Sequence, residues 1–265
     1  HIKLTENAIE FDFLGKDSVR WKETIPAEGY DKQFYNNLKE FIINKKEDEE
    51  IFDGITSRHV NAYYSTIVKG LTAKVFRTYL ASSVVSKYLR NHDNIKSESN
   101  MKKLFHAKLA NLNAAKMCNH KRTIPKNFDQ TLQKKKDTLH NVEKTKPWKK
   151  SEESLKKTQD KITKTEKQRE MQKKQIKKIK TVIKKKKVNH VDRIEKLQLQ
   201  IDLTQKTRDY NLGTSLRNYI DPRIFKTWAD EIGAEWEKLY TSALQKKFLW
   251  VKNIDSKWNE VSKHY

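Results

Sequence analysis

Residues 212–224 read Leu212-Gly213-Thr214-Ser215-Leu216-Arg217-Asn218-Tyr219-Ile220-Asp221-Pro222-Arg223-Ile224. Gly213 and Pro222 bracket one phenol, Tyr219, and make it a candidate nucleophile. A tyrosine without such a context is ordinarily a core or interface residue. On the C-terminal side charge is balanced and aromatic residues return, among them Trp228, Trp236, Tyr240, Phe248 and Trp250. That composition predicts a small helical domain over residues 207–265, with its tryptophans in the core.

On the N-terminal side the composition changes sharply. From Lys121 to Arg208 there are 29 Lys/Arg against 11 Asp/Glu, so about +18 of the chain's net +23 lies in this third. Phe128, Leu132, Leu139 and Val142 follow 4-and-3 spacing with Lys135 interrupting the seam, and Val191, Ile194, Leu197 and Ile201 repeat it. Pro147 and the run Lys184–Lys187 lie between these two arms. The pattern predicts a long antiparallel coiled-coil hairpin with irregularities, residues 126–206, its turn left unplaced. Most single lysines there are read as solvated, but a face this basic near a polyanion raises association rates and steepens salt dependence.

Further upstream, residues 1–125 are predicted to form a mainly helical core with a short β element at its start. Ile9 to Leu14 alternate apolar and acidic residues before Gly15, the pattern of a half-buried strand entering a turn. Phe34, Leu38, Phe41 and Ile42 make one helical stripe, and Val75, Tyr79 and Val84 belong to another. Met101, Leu104, Phe105, Leu109, Leu112 and Met117 are expected to supply the buried face of a helix over 100–118.

With 57 Lys/Arg against 34 Asp/Glu in 265 residues, the whole chain has the electrostatic signature of a polyanion binder, and nucleic acid is the leading partner. No apolar run of about 18 residues suggests a membrane span. A single cysteine, Cys118, excludes an internal disulfide framework, and the 8 histidines show no zinc spacing. A metal-independent mechanism is therefore expected. The first residue is His1 with no apolar leader after it, so the start is read as a cut inside a longer protein.

The segment around Tyr219 resembles the active-site tyrosine motif of the eukaryotic-type DNA topoisomerase IB family. Three further blocks in the same order carry the resemblance: Phe11-Asp12-Phe13-Leu14-Gly15-Lys16-Asp17-Ser18, Gly70-Leu71-Thr72-Ala73-Lys74-Val75-Phe76-Arg77-Thr78-Tyr79, and Cys118-Asn119-His120-Lys121-Arg122. It implies a topoisomerase IB/tyrosine recombinase-like catalytic domain, with the basic hairpin as linker and a small helical C-terminal domain. It also implies that Lys16, Arg77 and His120 join Tyr219 in catalysis, and that Asp17, Lys74, Thr214 and Asn218 touch DNA or organise the cleft. The match is weakest over residues 130–205, where only the linker architecture is shared.

These residue types suit the chemistry. A phenol in water titrates at about pH 10, so a tyrosine nucleophile needs positive charge beside it. Arginine and histidine can bind the nonbridging oxygens on which charge builds during attack at phosphorus. A lysine can protonate the departing 5′ oxygen, a role worth roughly 10²–10⁴-fold. The resemblance thus implies relaxation of supercoiled double-stranded DNA through a 3′-phosphotyrosine, with no metal, ATP or other cofactor. It places the protein in the nucleus, or in the cytoplasm if the source is archaeal.

The resemblance also marks departures. The family's second catalytic arginine belongs upstream of Ile2–Leu4, and its N-terminal cap lobe is absent from this sequence. The chain alone is therefore expected to relax plasmid far less well than one extended upstream, in the same or another polypeptide. A camptothecin-like inhibitor of the cleaved complex is a partner the resemblance leaves open. Two rivals are weighed: a tyrosine recombinase, which would need recognition sites, and a noncatalytic coiled-coil DNA-binding protein, which would form no covalent adduct.

Overall fold

The structure, a computed structural model, describes residues 2–15 and 20–265. Three short antiparallel strands open the chain, β1 (Ile2–Leu4), β2 (Ala8–Leu14) and β3 (Arg20–Pro26), in the order β1-β2-β3. The register sets Ile9 opposite Ile25 and Phe13 opposite Trp21. One face of the sheet therefore collects Ile9, Phe11, Phe13 and Trp21, with the Trp21 ring 5.2 Å from Phe11 and 5.0 Å from Phe13. The alternation from Ile9 to Leu14 marked β2 alone. On β3 the same face runs Trp21, Glu23, Ile25, and the glutamate interrupts the period-2 signal.

Four helices follow: α1 (Tyr30–Ile42), α2 (Ser57–Ile67), α3 (Ala73–Arg90) and α4 (Asn100–Met117). Their buried faces differ from the apolar stripes expected. On α1 only Leu38 is buried, while Phe34 and Phe41 stay exposed. On α3 the expected Val75 and Tyr79 face outward, and Ala81, Ser82, Val85, Ser86 and Leu89 form the packed side. α4 buries Ala107, Ala110, Ala114 and Ala115 along with Leu112, leaving most of the expected larger side chains half-buried. Close packing explains the switch. α4 lies against α3 on one side and later helices on others, and small residues let helix backbones approach, so hydrophobicity alone misjudges the buried face.

The basic segment folds back on itself. α5 (Phe128–Lys144) and α6 (Lys149–Gln159) both pack on the 41-residue α7 (Glu166–Lys206). Pro147 sits in the break between α5 and α6, where its missing N–H would cost a helical hydrogen bond. The reversal falls at residues 160–165, and the Thr165 hydroxyl caps α7 by accepting from the Gln168 N–H at 3.3 Å. The run Lys184–Lys187 lies inside α7, not at the turn. Phe128, Val142, Ile183 and His190 fill the seam, whereas Val191, expected there, is exposed. Lys135 crosses the seam to the Thr204 hydroxyl at 2.7 Å.

The chain ends in α8 (Leu212–Asn218), α9 (Pro222–Ile232), α10 (Ser242–Lys247) and α11 (Trp258–Lys263), with 3₁₀ turns at Trp236–Leu239 and Leu249–Asn253. Ile224, Phe225, Trp228 and Ile232 on α9 join Val85 and Leu89 of α3 and Ala107, Ala110 and Ala114 of α4 in one core. Burying each large apolar side chain contributes about 1.5–3 kcal/mol. The tyrosine-bearing segment is therefore held on the same core as α3 and α4. Trp228, Trp236 and Trp258 are buried as expected, but Trp250 is exposed. The fold is mainly helical with a small N-terminal sheet. Among the described residues no helix is long and apolar enough to cross a membrane.

Candidate active site

α8 ends at Tyr219, whose backbone N–H donates to the Ser215 carbonyl at 2.9 Å. The helix starts at Asn211, whose side-chain oxygen accepts from the Gly213 N–H at 2.9 Å. Glycine suits that close cap, because a β-carbon at 213 would sit 3.3 Å from the same oxygen. Behind Tyr219, Ile220 enters the core and Asp221 caps α9 by accepting from the Arg223 N–H. Pro222 occupies the first helical position, where no N–H is required.

α3 delivers two cations to the Tyr219 ring. The Arg77 guanidinium carbon lies 5.1 Å from the ring centroid and Lys74 Nζ lies 5.6 Å away. Three residues apart on one helix, they share a face. Arg77 also donates through one terminal nitrogen to the Cys118 carbonyl, which ties α3 to the end of α4.

The end of α4 places the third group. Asn119 adopts a left-handed backbone, φ 52, which reverses the chain just past the helix, and asparagine tolerates it better than most residues. The His120 N–H donates to the Ala115 carbonyl at 2.8 Å, and its carbonyl accepts from the Asn211 N–H at 2.8 Å. Lys121 and Tyr210 form the adjoining antiparallel bridge, and Arg122 continues it through the Asp209 carbonyl. This stitching spans the whole linker in sequence and brings the His120 ring to 5.3 Å from that of Tyr219.

Arg77, His120, Thr214 and Tyr219 line one cleft of about 560 Å³, with Phe13 and Trp21 of the sheet at its rim. Gly15 lines it too. Lys16 and Asp17, which follow Gly15 in sequence, lie outside the described residues. Asn218 is exposed on α8 and outside the described cleft lining. The cleft's one thiol is a poor rival to the phenol: burial pushes the Cys118 thiol up, against a smaller opposing effect of Arg77. No cluster of three His, Cys, Asp or Glu side chains suited to a metal occurs among the described residues.

Sequence reading missed the residues that hold this geometry. Asn111 on α4, only 4% exposed, donates to the Leu212 carbonyl at 3.0 Å and accepts from the Ser215 hydroxyl at 2.7 Å. Ser82 on α3 accepts from the Asp221 N–H at 3.0 Å. The Asp221 carboxylate takes further hydrogen bonds from Arg223 and from the Tyr265 hydroxyl. Burial pushes the Asp221 carboxyl up, but these donors outweigh it and hold it below the usual range.

A mainly helical scaffold thus presents a phenol ringed by arginine, lysine and histidine in a cleft, and the same chain carries a strongly basic hairpin. The family model for the eukaryotic DNA topoisomerase I catalytic core matches residues 1–153, and that for the C-terminal topoisomerase domain matches residues 191–260. The chain belongs to the eukaryotic DNA topoisomerase I family. It is 33% identical over 262 residues to DNA topoisomerase 1 of Caenorhabditis elegans, covering 97% of this chain and 29% of that protein. Identity to DNA topoisomerase 1 of Homo sapiens is 32% over 246 residues, 92% of this chain and 30% of that one. Identity to the mitochondrial DNA topoisomerase I of Rattus norvegicus is 33% over 253 residues, 94% and 40% of the two chains. The chain therefore spans well under half the length of these relatives.

Proposed function

We propose that this chain supplies the nucleophile of a type IB DNA topoisomerase. The Tyr219 phenol gives up its proton to water, and the resulting oxygen, its charge offset by the surrounding cations, attacks a backbone phosphorus of duplex DNA. The bond from phosphorus to that oxygen forms, the bond to the 5′ oxygen breaks, and a 3′-phosphotyrosine with a free 5′ hydroxyl results. Arg77 and His120 bind the nonbridging oxygens as charge builds there. Lys16 protonates the leaving oxygen, and religation runs the same steps backward. Because one phosphodiester replaces another, the cycle needs no ATP. The open strand swivels about the intact one, and supercoils are released.

The observation that carries this reading is the convergence of Arg77 and Lys74 of α3, and of His120 just past α4, on the ring of Tyr219, which lies beyond the whole linker in sequence. Thr214 faces the same cleft and is assigned to the DNA backbone, as are Asp17 and Asn218. Residues 1–125, 126–206 and 207–265 act as catalytic core, linker and tyrosine domain. A second arginine and a DNA-enclosing lobe come from polypeptide upstream of residue 1, in the same or another chain. The nucleus is the proposed compartment, and the cleaved complex is the proposed target of camptothecin-like inhibitors.

The test is to trap the complex with denaturant on a nicked suicide duplex, using the chain together with the upstream segment that its relatives carry. Peptide mapping should place the nucleotide on Tyr219, and Tyr219→Phe should abolish the adduct. An adduct on any other side chain overturns the assignment. Relaxation of one plasmid to a ladder of topoisomers without a recognition site distinguishes this activity from a recombinase.

A further inference from the structure

A nucleophile at the C-terminal end of a seven-residue helix has a positional problem. α8 is too short to be stable alone, so whatever fixes its axis fixes where the phenol points. Its backbone bond from the Tyr219 N–H to the Ser215 carbonyl ties the tyrosine to Ser215. Ser215 is fully buried, and its hydroxyl donates to the Asn111 side-chain oxygen at 2.7 Å. The Asn111 amide nitrogen donates to the Leu212 carbonyl, one turn earlier, at 3.0 Å. Asn111 thus grips both ends of the first turn of α8 through its two side-chain groups.

The partner side matters equally. Asn111 lies on α4, the helix whose end carries Cys118 and His120, and the Cys118 carbonyl receives Arg77. One rigid element thereby sets the nucleophile and two of the groups around it. From this we infer that Asn111 is the positioning residue for Tyr219, acting through Ser215 and never touching DNA. The inference rests on the topoisomerase reading and deepens it. A displacement of the phenol by about 1 Å would cost on the order of 10²-fold in rate.

The experiment measures single-turnover cleavage and religation on a suicide duplex, with the chain in its active form including the upstream segment. Asn111→Leu keeps the branched heavy-atom shape but removes both bonds from α4, leaving the Ser215 hydroxyl only its weaker 3.2 Å bond to the Leu212 carbonyl within α8. Cleavage at saturating DNA should slow on the order of 10²-fold, with half-saturation by DNA unchanged. Religation should slow less, since the covalent bond already holds the ring at phosphorus, so the equilibrium fraction of adduct should fall. Ser215→Ala breaks the link from the other side, should give the same pattern, and carries the test if Asn111→Leu fails to fold. Wild-type cleavage rates in both variants, or equal slowing of DNA binding and cleavage, would overturn the inference. If the unsubstituted enzyme makes no adduct on Tyr219, it is the topoisomerase reading that fails.

Discussion

The hydroxyl of Tyr265 donates to the Asp221 carboxylate at 2.7 Å, two residues beyond Tyr219. The Tyr265 ring packs 5.8 Å from that of Tyr79 on α3, so the residue two positions past α11 bridges α3 and the tyrosine turn. Burial and the Asp221 charge push the Tyr265 phenol up from 10.0 to about 12. The folded state therefore keeps this proton after the unfolded chain has lost it, and stability falls as pH rises from 10.0 toward 12. In urea titrations across this range the wild-type midpoint should drop more steeply than that of Tyr265→Phe. Parallel profiles for the two proteins would rule out the coupling.

How far this could be read in the sequence depended on where each interaction lies. Arg77, Lys74, His120 and Tyr219, which the fold brings together, were singled out because each sits in a short motif block that carries the family resemblance. Asn111 lies in no such block, and although Ser215 does, their bond joins residues 104 apart and nothing in the spacing announces it. The alanine face of α4 was overlooked for a related reason. Periodicity weights large apolar residues, while helix approach distance is set by small ones. Strand β3 was hidden by Glu23, which interrupts its alternation.

Lys103 offers a stability test away from the chemistry. It is 5% exposed and donates to the Ile232 carbonyl at 2.7 Å, capping α9 where Gly233 turns into the left-handed region. Lys103→Met keeps the apolar stem and removes the donor. The expected loss is about 1.5–3 kcal/mol, measured by urea unfolding, with the cleavage rate per folded molecule nearly unchanged. A neutral substitution would show that water or backbone adjustment satisfies these carbonyls.

The basic hairpin should act on rotation more than on cutting. Residues 126–206 hold 26 Lys/Arg against 11 Asp/Glu, a net +15, and none of them lines the cleft, so the hairpin's pull on phosphates is long-ranged and screened by salt. Replacing residues 127–204 by a short loop should leave the rate of adduct formation within a few-fold. Single-molecule supercoil relaxation should then show faster swivelling per cleavage at low salt, converging with wild type at high salt. Equal rotation rates at low salt would remove drag by the linker as its role.

Arg77 and Lys74 approach the same ring from the same helix, yet their chemistry separates them. Arg77 is anchored to the Cys118 carbonyl and still has guanidinium N–H groups to spare for a phosphate, which a planar fork can grip in two places. Lysine is a compact charge with no fork, so Arg77→Lys cannot hold both partners at once. Cleavage in Arg77→Lys should fall on the order of 10²–10³-fold at saturating DNA, the range for removing one transition-state donor. Lys74 is exposed and its charge is screened, so Lys74→Ala should weaken binding and reduce the salt slope by about one unit, with a much smaller effect at saturation. The two variants differ in which quantity moves, and measuring rate and affinity across a salt series separates them. If Arg77→Lys matches wild type at saturation, the guanidinium is not binding the reacting phosphate.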